Sequence, residues 1–308
     1  MHARTTLALR CTLLAAMVST ASCGRDGGAP SGRSILLSAF LQKETNAQAA
    51  IPHVPYSPAT PRMRARATRR WPHDTLAYTQ GFLVHEGRLI ESAGLRSHSN
   101  LREVDRETGR VVRRTDLPVN DFAEGIAVLR GRIYQLEWKS GRGYVYDLRT
   151  LAPLDSFTYD GEGWGLTSDD TLLYLSDGTS GVRVIDPNGF RVVRTIHVTE
   201  AEQPVNMINE LEWIDGELWA NVYETNLIAR IEPGTGRVVG WIDIGRLLPD
   251  STRKRLYARG GVANGIAYDS ASGQVLVTGK YWPFVFQLDS IPAATMRQRR
   301  HAGSPTHP

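Results

Sequence analysis

The sequence has few of the residues that carry disulfide, metal or membrane-spanning chemistry. Its 308 residues include only two cysteines, Cys11 and Cys23, which leaves little capacity for disulfides. The eight histidines are scattered and form no HxH pair, which argues against a zinc hydrolase site. No apolar run reaches the ~18 residues of a membrane-spanning helix. The GxSxG elbow, the P-loop and the dinucleotide fingerprint are also missing, which argues against those enzyme classes.

Charge of one sign is not in large excess either. Lys and Arg number 36 against 32 Asp and Glu, giving a net charge of +4. This excess is too small to indicate nucleic-acid binding. Hydrophobic residues make up 41% and charged residues 22%, a composition typical of a folded globular protein.

The first 23 residues have the pattern of an export signal, with basic residues, an apolar stretch and then small residues. Residues 19–23 resemble the cleavage box of bacterial lipoproteins, in which Cys23 would become the acylated first residue. Thr20 stands where such boxes prefer Leu. The pattern leaves open a lipid-anchored form, attached to the membrane through Cys23, and a plain secreted form. We expect export to the periplasm or attachment to the bacterial envelope.

Composition divides the rest of the chain into three parts. Residues 24–70 are rich in proline and arginine, with five arginines between positions 62 and 70, and are predicted to form a flexible tether. Residues 71–293 show strand-like alternation with frequent turn signals and are predicted to form the main domain. The polar segment 294–308 is predicted to be a disordered tail.

The region 71–293 contains five repeats of one plan. Each repeat has a first strand, a hairpin, a second strand, and a third strand that ends in an acid and a turn. The acids stand roughly 40–57 residues apart, a period typical of four-stranded propeller blades. The fifth repeat has no fourth strand of its own, so residues near 64–71 are expected to supply it. The sequence therefore predicts an all-β, five-bladed propeller closed by an N-terminal strand, with a helical insert at 246–260.

The first strand of each blade lines the central channel of a propeller. Counting back seven residues from the hairpin glycines places Gln80, Glu124 and Asn209 at one end of the channel. Trp164 and Asn264 stand at the matching place, just before Gly165 and Gly265. Each of these side chains could simply form hydrogen bonds with exposed backbone groups. Five polar or aromatic residues at one concave spot nevertheless favour a binding site. Glu124 is the single carboxylate, and its apolar neighbours are expected to raise its pKa. A raised pKa suits a proton shuttle.

The ends of the second strands add aromatic and cationic groups to the same face. Trp138, Tyr223 and Lys280 are the main candidates, and a buried lysine could stabilise an oxyanion there. For Trp138, Trp164 and Tyr223 the sequence leaves open whether the ring packs between blades or binds substrate. Packing is the expected role of Trp213, Trp219 and Trp241.

Motifs along most of this region are similar to those of one enzyme family, the glutaminyl-peptide cyclotransferases of plants and bacteria. The motifs are PHDTLAYTQGF at 72–82, FAEGI at 122–126, YQLEW at 134–138, GEGWGL at 161–166, LSDGT at 175–179, INELEW at 208–213, LWANVY at 218–223, NGIAYD at 264–269 and VTGKYWP at 277–283. The resemblance implies a five-bladed propeller that converts the N-terminal glutamine of peptides or proteins to pyroglutamate and releases ammonia.

The resemblance also implies roles for single residues. Glu124 would be the catalytic acid and base, and the matching pocket positions are Gln80, Trp138, Trp164, Asn209 and Lys280. Tyr78 and Tyr223 stand where the family often has Phe and Trp, and both keep an aromatic face. We expect Lys280 and the Trp164 indole N–H to stabilise the oxyanion, while Gln80 and Asn209 orient the substrate amides. No cofactor is expected, although a structural calcium ion stays open. The protein is expected to be a monomer.

Two other functions fit the same ring of residues. A carboxylate and amides at a propeller axis also resemble the calcium site of six-bladed lactonases. The count of five repeats, together with Trp164 and Gln80 at the axis, argues against that alternative. A propeller could instead only bind a partner in the envelope, because fold does not determine function.

Overall fold

The computed structural model describes residues 54–55 and 57–289. The predicted signal segment 1–23 with Cys23, most of the tether and the tail 294–308 lie outside these residues. The described chain is built almost entirely from β-strands, and none of its helices is long or apolar enough to cross a bilayer.

Apart from one small hairpin, the strands form five sheets arranged as the blades of a propeller, which confirms the predicted fold. The first blade contains β3 (Thr79–His85), β4 (Arg88–Ala93), β5 (Asn100–Val104) and β6 (Val111–Asp116). The second contains β7 (Ala123–Leu129), β8 (Arg132–Glu137), β9 (Arg142–Asp147) and β10 (Pro153–Thr158). The third contains β11 (Leu166–Ser168), β12 (Leu173–Leu175), β13 (Gly181–Asp186) and β14 (Arg191–His197).

The last two blades take in strands from the N-terminal side. The fourth contains β17 (Ile208–Ile214), β18 (Glu217–Val222), β19 (Leu227–Ile231), β20 (Val238–Asp243) and β1 (Arg62–Arg64). The fifth contains β21 (Ala263–Asp269), β22 (Gln274–Gly279), β23 (Phe284–Leu288) and β2 (Ala67–Pro72). A small hairpin of β15 (Thr199–Glu200) and β16 (Gln203–Pro204) precedes the fourth blade, and the helix α1 (Asp250–Tyr257) precedes the fifth.

The N-terminal chain closes the ring. Strand β2 pairs antiparallel with β23, as predicted, so one sheet joins the two ends of the domain. Strand β1 was not predicted and pairs in parallel with β20. Seven of the nine residues 62–70, which were assigned to the tether, therefore lie in strands of the propeller.

The inner hairpins use turns that match the twist of their strands. Glu86 and Gly87 have φ of 49° and 76°, and Asp215 and Gly216 have φ of 48° and 86°. Two consecutive positive φ values define a type I′ turn, which favours glycine at its second position. These turns fix the register of the first two strands in each of these blades, and with it the end of the channel at which each first strand begins.

The inner strands approach one another closely at the axis. A Cβ atom on Gly165 would lie 2.0 Å from the Asn209 carbonyl oxygen, and one on Gly125 would lie 2.4 Å from the Leu166 nitrogen. No side chain fits in those spaces, so glycine is required by contact between backbones. Away from the axis, aliphatic and aromatic side chains fill the space between neighbouring blades, and Trp219 and Trp241 are buried there as expected.

Candidate active site

The fold brings the predicted site residues to one end of the channel. Gln80, Glu124, Asn209 and Asn264 lie at or near the starts of the inner strands β3, β7, β17 and β21, and Trp164 directly precedes β11. In these four strands, pairing with the neighbouring strand shifts register at these residues. Such bulges re-aim side chains and occur often beside active sites. Trp138, Tyr223 and Lys280 follow the second strands β8, β18 and β22 and reach the same end.

Glu124 is held by a short chain of amides. The Gln80 Nε2 group donates to Glu124 Oε1 at 2.9 Å, and Asn264 Nδ2 donates to Gln80 Oε1 at 3.3 Å. Glu124, Gln80 and Asn264 are all buried. Among the residues that the structure describes, none donates a hydrogen bond to Glu124 Oε2. One oxygen of the carboxyl is therefore fixed, and the other has no protein partner.

Lys280 is the buried cation of the site. Its side chain is 3% exposed, and its Nζ lies 4.5 Å from the ring centroid of Tyr78 and 5.0 Å from that of Tyr223. The two rings offer their electron-rich faces to the ammonium group, which offsets part of the loss of hydration. Both residues that depart from the family pattern thus contact the same lysine.

Burial shifts the pKa values of both charged groups toward neutrality. Burial raises the pKa of Glu124 well above its usual range; Lys280 opposes this effect, while Glu137 and Glu162 add to it. Burial lowers the pKa of Lys280 to about 8, although Glu124 and Glu224 favour its charged form. A carboxyl and an amine whose pKa values approach each other suit proton transfer near pH 7.

Glu162 is a site residue that the sequence analysis missed. Its Oε2 atom accepts hydrogen bonds from two indoles, Trp138 Nε1 at 2.8 Å and Trp164 Nε1 at 2.9 Å. In this structure the Trp164 N–H, which was expected to face an oxyanion, is bonded to the Glu162 carboxylate. The only signal for Glu162 in the sequence was its position between two glycines, close to Trp164 at the end of the channel.

Aromatic rings form the walls around these polar groups. The Trp164 and Tyr223 rings meet edge to face, with centroids 5.7 Å apart, and Phe122 packs against Trp138 at 5.4 Å. Tyr78 packs edge to face on Tyr281 with centroids 5.2 Å apart. Trp138, Trp164 and Tyr223 are half-buried, so part of each ring is open to a ligand. Their position at the site supports a role beyond packing between blades.

Two amide oxygens at the site lack a protein partner. Asn209 Oδ1 and Asn264 Oδ1 are buried, and no described residue donates a hydrogen bond to either. A buried acceptor without a partner costs ~1–3 kcal/mol. A ligand with amide N–H groups would remove that cost.

Two further carboxylates lie farther along the channel. Glu210 on β17 accepts hydrogen bonds from the backbone N–H of Phe82 at 3.2 Å and of Ile266 at 2.9 Å, which belong to the inner strands of two other blades. Glu212 accepts from the N–H of Tyr268 at 2.7 Å. Within the described part of the chain, no three His, Cys, Asp or Glu side chains form a group that could hold a metal ion.

Comparisons with known proteins agree with this architecture. The sequence profile of the family described as glutamine cyclotransferase matches residues 35–289. A glutaminyl-peptide cyclotransferase of Arabidopsis thaliana is 40% identical over 223 residues, which cover 71% of this chain and 68% of the relative. The crystal structure of the Myxococcus xanthus glutaminyl cyclase is 36% identical, with a TM-score of 0.68, and the match covers 75% of this chain and 97% of that one. The chain belongs to the glutamine cyclotransferase family.

Proposed function

We propose that the protein is a glutaminyl-peptide cyclotransferase, which converts the N-terminal glutamine of peptides or proteins to pyroglutamate. The observation that carries the proposal is the buried Glu124 beside Lys280, within aromatic walls, in a chain of this family. The reaction is an intramolecular acyl transfer. The free α-amine attacks the side-chain amide carbon, the new C–N bond closes a five-membered ring, and the old C–N bond breaks to release ammonia.

Much of the rate enhancement would come from binding the substrate in the conformation that brings its amine close to its side-chain amide. The attacking amine and the amide carbon belong to one residue, so a pocket that fixes their approach turns a rare conformer into the bound one. The aromatic walls contributed by Trp138, Trp164 and Tyr223 suit the methylene groups of a glutamine side chain. Asn209 Oδ1 is a free acceptor for a substrate N–H.

Glu124 would move the proton. A carboxylate at Oε2 accepts a proton from the attacking α-amine and returns it to the departing nitrogen, so that ammonia leaves as a neutral molecule. A raised pKa brings the carboxyl closer to the α-amine, whose ordinary pKa is ~7.7–8.0, and lowers the cost of transfer in both directions. Gln80 positions the carboxyl through its hydrogen bond to Oε1.

Lys280 would stabilise the negative oxygen of the tetrahedral intermediate. With a pKa of about 8 it is mostly protonated at pH 7. A charge in a site of low dielectric acts more strongly than one in water. Glu162 would act through the two tryptophans, because its carboxylate fixes the orientation of both rings. These groups supply the proton transfers and the charge stabilisation, so we propose that the reaction requires no metal ion.

The test is release of ammonia from a short peptide with N-terminal glutamine, monitored together with the mass of the peptide. The same peptide with an acetylated α-amine is the matched control, because it lacks the nucleophile. We expect one ammonia per cyclised free peptide, none from the acetylated peptide, and equal rates with and without EDTA. Folded protein that leaves the free peptide unchanged would refute the activity. Loss of activity in EDTA, restored by Ca²⁺, would refute only metal independence.

A further inference from the structure

A groove lies beside the active site, between α1 and the fourth and fifth blades. Its volume is about 390 Å³, within the ~300–1,000 Å³ of typical ligand pockets. Arg253, Lys254 and Tyr257 of α1 line one side, Glu224 and Asn226 line the other, and the ring of Trp282 also lines it. We call this space the helix groove. None of the roles proposed above for the active site uses it.

The helix groove and the active site share their supporting segments. Glu224 follows Tyr223, Ala263 precedes Asn264, and Trp282 is two residues after Lys280. The Lys280 backbone N–H donates to the carbonyl of Val262, another lining residue, at 2.9 Å. A chain bound with its first residue at Glu124 therefore has this groove within reach of the next residues, since each extended residue spans ~3.3–3.6 Å.

The segment around α1 is rich in basic side chains. Residues 245–261 include five basic side chains, Arg246, Arg253, Lys254, Arg255 and Arg259, and a single acidic one, Asp250. Arg253 pairs with Asp250 at 2.8 Å. Lys254 is exposed, and no carboxylate in the described part of the chain pairs with it. Lys254 therefore offers an unneutralised charge at the wall of the groove.

The two ends of this surface differ in charge. The active-site end holds the carboxyl groups of Glu124 and Glu162 and one buried cation, Lys280, whereas the α1 end holds the exposed Lys254 and its basic neighbours; Glu224 lies between them on the groove wall. In a bound peptide, the N-terminal ammonium group would face the carboxyl groups of the active site. An acidic side chain shortly after it would face the cations of α1. The half-exposed ring of Tyr257 can cover the methylene groups of such a side chain.

We propose that the helix groove binds the residues that follow the N-terminal glutamine of the substrate, and that it selects acidic side chains at the second to fourth positions. This inference rests on the proposed cyclotransferase activity and adds a substrate class to it. The preferred substrates are peptides or proteins whose N-terminal glutamine precedes aspartate or glutamate. Peptides with lysine or arginine at these positions are disfavoured.

The experiment compares kcat/KM for four substrates: glutamine amide, and three glutamine peptides that carry Glu, Ala or Lys at the second to fourth positions. In the unaltered protein we expect kcat/KM to be about fivefold higher for the Glu peptide than for the Lys peptide, since exposed charge pairs have this magnitude. The difference should shrink at high salt. Glutamine amide does not reach the groove, so its turnover reports the chemistry alone.

Lys254→Glu is the test variant, and Arg130→Glu is its control. Arg130 is exposed at the far end of β7, on the opposite face, so both variants change the net charge equally. We expect only Lys254→Glu to reverse the preference, with unchanged turnover of glutamine amide. Equal kcat/KM for the Glu and Lys peptides, or the same change in both variants, would overturn the inference. Failure on glutamine amide and on all peptides would instead refute the cyclotransferase activity.

Discussion

Glu124 and Glu210 are both buried acids on inner strands, yet their carboxyl oxygens have different kinds of hydrogen-bond partners. Burial raises the pKa of each well above its usual range. Glu210 accepts hydrogen bonds from two backbone N–H groups of other blades, and these bonds link the inner strands across the channel. Glu124 binds one side-chain amide and keeps an oxygen without a protein partner. A raised pKa therefore does not distinguish the proposed catalytic acid from a structural one, whereas the hydrogen-bond partners of the two carboxyl oxygens differ between them.

The largest effect is expected from Glu124→Gln. Glutamine keeps the shape of the residue and an oxygen that can accept from Gln80, but it cannot take up a proton. We expect kcat/KM for a glutamine peptide to fall ~10²- to 10⁴-fold, with thermal unfolding close to that of the unaltered protein. Ammonia release measures the activity, and circular dichroism measures the thermal unfolding. A folded variant with full turnover would remove Glu124 from the chemistry.

Glu210→Gln should show the reverse pattern. The new NH₂ group would face a backbone N–H of Phe82 or Ile266, so one donor loses its acceptor in the interior. We expect the free energy of unfolding to fall by ~1–3 kcal/mol, measured by urea denaturation, while kcat per folded molecule stays unchanged. If activity falls without any loss of stability, Glu210 belongs to the catalytic site and the contrast with Glu124 fails.

A smaller effect concerns the pH dependence, and two variants should shift it in opposite directions. Glu162 raises the pKa of Glu124 and Lys280 lowers it. The acidic limb of kcat/KM should therefore move to lower pH in Glu162→Gln and to higher pH in Lys280→Met. Lys280→Met should also lose the alkaline decline near pH 8 that follows from deprotonation of the lysine. The substrate amine titrates identically in all three proteins, so only differences between profiles are interpreted. Parallel shifts would contradict this assignment.

The architecture could be predicted from the sequence because its signals are local. Hairpin pairs such as Asp215–Gly216 mark the ends of the inner strands, and counting back from the hairpin glycines places Gln80, Glu124 and Asn209 at one end of the channel. Strand β1 could not be predicted in this way. It has three residues, Arg62–Arg64, two of them exposed arginines, and it depends on the open edge of β20.

The partners of the site residues could not be predicted, because they come from distant loops. Glu162 meets Trp138 only when the second and third blades lie side by side, and nothing in the local pattern indicates that one carboxylate oxygen would bind two indoles. The acids at 210 and 212 did carry a signal, since residues two apart in a strand share a face. The sequence analysis did not use that signal, and the backbone partners of both acids depend on the closed ring.

Closure of the ring by β2 has a consequence for the order of folding. The Thr68 hydroxyl donates to the Gln287 carbonyl, a contact between residues 219 positions apart. During synthesis, β2 leaves the ribosome among the first strands. It stays unpaired until its partner β23, which is synthesised last, has also emerged. A waiting edge strand is an aggregation hazard, and charged side chains are the usual protection. The exposed arginines at positions 66, 69 and 70, in and beside β2, are charged side chains of this protective kind.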